Sequence, residues 1–68
     1  MHDATAHVLQ FFDWKHLPPG LQEISQPFQT LALEMSSKLS GPELTVCLRR
    51  LLEAKDAAAR AALGGIDA

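Results

Sequence analysis

Two apolar stripes constrain what this chain can fold into. Leu21, Ile24, Phe28, Leu31 and Met35 recur at spacings of three and four, and so do Leu44, Cys47, Leu51, Ala54, Ala58 and Ala61. A period of about 3.6 residues returns such positions to one side of a helix. The two segments are similar in length and are separated by one Ser-Gly-Pro turn, which describes a helical hairpin. Two helices cannot bury two stripes on their own, and a chain of 68 residues buries only a modest fraction of its surface. The expected fold is all-α. It is a single domain over 1–68, with a short N-terminal helix and an antiparallel two-helix hairpin, completed by homo-oligomerisation.

The expected helices span about 3–13, 19–38 and 42–63. Asp3 or Thr5 caps the first, and Val8, Leu9, Phe11 and Phe12 give it an apolar face. At roughly ten residues it is too short to persist alone and must dock. Leu17 precedes a proline and is pushed towards extended backbone, and Pro19 suits the first turn of the second helix. Pro27 interrupts that helix, either as a kink or as a fresh start capped by Ser25; the kink is favoured because the stripe keeps phase across it. Ser40-Gly41-Pro42-Glu43 reads as a capping box. Arg49 with Glu53, and Asp56 with Arg60, are i,i+4 pairs of opposite charge. Leu63-Gly64-Gly65 closes the third helix, with glycine as the left-handed cap. The alanines at 57–59, 61 and 62 are good helix formers, and they also permit close approach of helices from several copies.

The formal net charge of −2 gives no basic field, which disfavours bulk nucleic-acid binding. Arg49, Arg50, Lys55 and Arg60 nevertheless fall in one segment, which allows a local basic patch. The single cysteine, Cys47, sits in an apolar stripe and is expected to be a reduced, buried core residue. No signal peptide and no long apolar run is evident, so a cytoplasmic location and no membrane partner are expected.

The catalytic inventory is poor. His2, His7 and His16 lack metal-ligand spacing with one another or with Cys47. There is no nucleophile elbow and no phosphate-binding glycine loop. No enzyme activity, no metal and no cofactor are expected. Trp14-Lys15-His16 ahead of the double proline is the one constellation suited to a nucleotide. Trp14 would stack on a base and Lys15 would meet a phosphate. The plainer alternative is that Trp14 covers the end of the hairpin core and Lys15 is solvated. Arg49, Arg50 and Arg60 pose the same choice between a solvated face and a phosphate site built from several copies.

The order of parts resembles the small phage hairpin proteins that act as anti-CBASS cyclic-oligonucleotide sponges, whose hairpin domain is shared with anti-Thoeris sponges. Phe11-Phe12-Asp13-Trp14-Lys15-His16-Leu17-Pro18, the Leu-Gln-x-x-Ser-x-Pro-Phe run at 21–28 and the stretch from Leu48 to Ala58 carry the resemblance. It implies a homo-oligomer, a hexamer, that sequesters cyclic di- or trinucleotides in the cytoplasm of an infected bacterium without cleaving them. Dinucleotides would lie between protomers beneath the short N-terminal helices, and trinucleotides in separate central pockets. The resemblance places Trp14 where the family stacks an aromatic on the base, with Phe11 beside it. The family's lysine from the following helix has Gln26, Gln29 and Thr30 in its region here, with Lys15 or His16 as substitutes. Its phosphate-binding arginine falls among Arg49, Arg50 and Arg60.

Beside this reading stands a structural or interaction protein, a helical-hairpin oligomer that binds a protein partner; folds do not fix functions. A DNA-binding regulator ranks below both, because neither turn suits helix-turn-helix geometry.

Overall fold

The computed structural model describes residues 3–64, with side chains from Ala4 onward. Three α-helices follow one another: α1 (Asp3–Leu9), α2 (Pro19–Lys38) and α3 (Pro42–Gly64), with a 3-10 turn over Gln10–Phe12 extending α1. The all-helical architecture and the short first helix docked on a two-helix hairpin match the expectation. The first helix differs in detail. Its last turn tightens to 3-10, and Asp13 leaves it with extended backbone (φ −62°, ψ 132°). Thr5 does not cap it. The residue is buried inside α1, and its hydroxyl lies 3.5 Å from that of Thr45 on α3.

α2 begins as the sequence predicts, with Pro19 in its first turn. It passes without interruption through Pro27, which excludes the fresh-start alternative. Proline brings no N–H to the ladder, but Pro27 sits on an exposed side of the helix, where the freed carbonyl one turn earlier faces water. The turn into α3 is made by Gly41, whose φ of 94° is a conformation that side chains disfavour. Because α3 starts at Pro42, Ser40 lies one residue too early to cap it. No capping box forms, and the Gly41 carbonyl accepts the Leu44 N–H at 3.1 Å instead. At its far end α3 includes Gly64, which is helical and not in the left-handed conformation of a cap; Gly65 lies outside the described residues.

The core consists of Val8, Phe12, Ala32, Leu44 and Leu48, with Leu9, Phe28, Met35, Leu51 and Leu52 packed against it. Phe12, Ala32 and Leu48 are wholly buried. The small Ala32 side chain leaves the room that the Phe12 ring fills. Burying a phenylalanine contributes about 1.5–3 kcal/mol, a large share for so small a domain.

The helices are rotated relative to the expected stripes. On α3 the inward positions are Leu44, Leu48, Leu51, Leu52 and Lys55, so Cys47, Ala54 and Ala61 are exposed. Cys47 is therefore not a core residue. On α2 the inward line is Leu21, Ser25, Phe28, Ala32 and Met35, and Leu31 remains 42% exposed. The rotation arises because α1 claims one side of the hairpin: Phe12 draws Ala32 and Leu48 inward and turns the larger residues on the opposite flank outward. The expected i,i+4 ion pairs also change partners. Glu53 pairs with Arg50 at 3.2 Å, and Asp56 pairs with Lys55 at 3.3 Å.

Two substitutions test this packing. The buried Ser25 hydroxyl has no hydrogen-bond partner among the described residues. Ser25→Ala removes that penalty and improves helix propensity, and is expected to stabilise the chain by about 1 kcal/mol. Thermal denaturation should show a rise of roughly 4–8 °C. Phe12→Ala should cost about 3–5 kcal/mol and leave the chain largely unfolded at 37 °C by circular dichroism.

Candidate functional site

The segment between the 3-10 turn and α2 is held from several directions. The Trp14 indole N–H donates to the Gln29 side-chain oxygen at 2.7 Å. Leu17 N–H closes a turn onto the Trp14 carbonyl at 3.1 Å. Gln22 on α2 donates to the carbonyls of Leu17 (2.7 Å) and Lys15 (3.2 Å). The last three bonds each satisfy a main-chain carbonyl that regular structure has left open. The result is an aromatic ring, half-buried, presented by a loop that two prolines and two glutamines keep in place. Lys15 and His16 on the same loop point to solvent; the His16 ring lies 3.9 Å from the Asp13 carboxylate, with both side chains exposed.

Lys55 fixes the preceding turn. Its ammonium reaches across from α3 to donate to the Phe11 carbonyl at 2.9 Å, and its side chain is only 13% exposed. A cation placed at the carbonyl end of a short helix satisfies an orphan acceptor and favours the local dipole. Sequence reasoning counted Lys55 merely as one of a basic group, and did not single out Gln22 at all. Neither carries a local signal: their partners are main-chain carbonyls brought close only by tertiary folding.

The remaining predicted site residues divide by side. Gln29 lies on the flank of α2 against which the Trp14 loop rests. Arg49 and Arg60 are eleven residues apart on α3, which returns them to the same flank about three turns apart. That flank also carries Thr45, the partner of Thr5, so it is the side on which α1 lies. Both guanidinium groups are exposed, and neither forms an ion pair among the described residues. Arg50 is directed elsewhere and is engaged with Glu53. Thr30 is exposed on α2, away from the Trp14 ring. Phe11 is half exposed and meets His7 edge-on, with ring centroids 5.4 Å apart. A groove of about 460 Å³ at the turn end of the hairpin is lined by Ala4, Gly41, Pro42, Thr45, Val46 and Arg49. It is mainly apolar with one cation at its edge, and it is distinct from the Trp14 loop.

No family model, no curated protein and no solved structure matches this chain. Among the described residues no helix is long and apolar enough to cross a membrane. The arrangement itself supplies a half-buried aromatic ring held by Gln29 and, separately on α3, two exposed arginines. Such groups hold a flat, anionic ligand by stacking and charge.

The brace around the loop is testable. Lys55→Met keeps the aliphatic stem but leaves the Phe11 carbonyl without its donor. A loss of about 1.5–3 kcal/mol is expected. Amide hydrogen exchange should accelerate most over residues 8–14, where the turn is released.

Proposed function

We propose that this protein binds and sequesters cyclic oligonucleotide second messengers, without cleaving them, in a homo-oligomer whose copies share the binding sites. The observation that carries this reading is the Trp14 ring, anchored at its edge by Gln29 and left with part of its surface uncovered. A ring fixed at its edge offers a face for a purine base at little entropic cost. Lys15 on the Trp14 loop, with Arg49 and Arg60 contributed from α3 of another copy, would supply charge for the phosphates. The ring is half-buried, so a second copy closing over its uncovered part would complete a pocket. That agrees with what the resemblance to phage sponge proteins implies, including action in the cytoplasm of an infected bacterium against its anti-phage signalling. Gln29 is then a positioning residue, engaged with the indole, and Lys15 or His16 on the adjoining loop would stand in for the family's lysine of that region.

The apolar surface left open on the other side of the hairpin favours one other reading, an interaction protein with a protein partner. The two differ in what raises the melting temperature. A panel of cyclic di- and trinucleotides, including 3′,3′-cyclic GMP-AMP, should contain a member that stabilises the chain by about 2.7 kcal/mol at a concentration one hundred times its Kd. Chromatography should recover that ligand intact. A panel with neither thermal shift nor calorimetric heat would overturn the sequestration reading. Trp14→Leu should weaken dinucleotide binding at least tenfold while the native mass is unchanged, and Trp14→Phe, which keeps a stacking ring but not the N–H that Gln29 holds, should fall between the two.

A further inference from the structure

The bond between Trp14 and Gln29 fixes more than the ring. An indole N–H can only donate, so at 2.7 Å the Gln29 amide must present its oxygen to it. The amide cannot turn over, because its amino group would then meet a second donor. Both ends of an amide share one carbon, so the amino group stands in a set direction beside the same edge of the ring. Gln29 is half-buried, yet its amino nitrogen has no hydrogen-bond partner among the described residues. That nitrogen is not enclosed either, since the Ser25 hydroxyl is the one buried side-chain polar atom left without a partner there. Gln22, the other glutamine that holds the loop, differs: its amino group is committed to the carbonyls of Lys15 and Leu17.

Two N–H donors held next to a stacking ring have a chemical preference. A free glutamine pairs with adenine through both ends of its amide, the oxygen accepting from the N6 amino group. Here the oxygen is engaged by the indole, and the donors remain. Guanine carries a carbonyl, O6, beside N7 where adenine carries its amino group. A guanine stacked on Trp14 can accept from Gln29 at that edge. An adenine in the same place sets donor against donor. The penalty grows when a pocket closes, because a donor left unpaired there loses its water without a replacement.

We infer that Gln29 is a specificity-determining residue, which reads the base stacked on Trp14 and selects guanine over adenine. This role rests on the sequestration reading and deepens it. The ring supplies affinity for any base, and the amide beside it supplies the choice. Trp14 gains a second part, as the group that holds Gln29 in its reading orientation.

The test uses two probes, 3′,3′-cyclic di-GMP and 3′,3′-cyclic di-AMP, with calorimetry on the native chain and two variants. The native chain should bind the guanine ligand at least about fivefold more tightly, the discrimination of one good base contact. Gln29→Glu keeps an acceptor for the indole N–H but puts a carboxylate oxygen where the amino group stood. Its charge should weaken both ligands, and the ratio between them should reverse or fall to unity. Trp14→Phe keeps a stacking ring and frees the Gln29 amide to turn over, so the ratio should again approach unity. Circular dichroism should show both variants folded. A native chain that binds the two probes equally, or the adenine ligand more tightly, overturns the role of Gln29. So does a Gln29→Glu variant that lowers both affinities by one factor, the result expected of a residue that only positions Trp14. If neither dinucleotide binds while a cyclic trinucleotide still raises the melting temperature, the role of Gln29 fails and sequestration stands. If no cyclic oligonucleotide binds, both fail.

Discussion

The fit of Phe12 between α2 and α3 is the contact on which the remainder of the structure depends. The hairpin by itself has a hollow at Ala32, where a methyl group stands among leucines. The N-terminal segment fills that hollow with one aromatic ring, and the filling decides which side of each long helix faces inward. Thr5, Val8 and Lys55 then secure the same segment at successive levels along α3. The Lys55 ammonium on the Phe11 carbonyl is the most specific of these, because it ends the 3-10 turn at a fixed place and so determines where Trp14 emerges.

The two sides of the hairpin consequently differ in character. One is covered by α1 and bordered by arginine, glutamine and threonine. The other keeps apolar residues such as Leu31, Cys47 and Ala54, bordered by the exposed ion pairs of Lys38 with Glu34 and Arg50 with Glu53. A chain with so few wholly buried side chains gains little from its core alone, and the uncovered side holds the surface with which more stability can be obtained.

The sequence made the long helices legible almost to the residue. Pro19, the Ser-Gly-Pro turn and the recurrence of apolar positions locate α2 and α3 without reference to tertiary contacts. It did not reveal their rotation. A stripe of apolar residues at spacings of three and four is the sum of every apolar demand on a helix, and here two demands overlap: an inward line through Ala32 and Leu48, and an outward flank through Leu31, Cys47 and Ala54. Cys47 was assigned to the core because it belongs to the stripe, yet the inward line passes through Leu48. The Trp14 loop was visible as an aromatic, a cation and two prolines. Its supports were not, since Gln22, Gln29 and Lys55 are ordinary polar residues until folding brings carbonyls and an indole within their reach.

Met35 and Leu51 belong to both demands at once. Each packs against the cluster around Phe12, and each borders the flank on the far side that carries Leu31, Cys47 and Ala54. They form a mechanical link through the interior of the hairpin. Whatever settles on the flank presses on the seat of Phe12, and by the reciprocity of linked equilibria the docking of Phe12 alters the affinity of the flank by the same factor. A looser seat for Phe12 would in turn be felt at Trp14, which emerges from the turn that Phe12 ends.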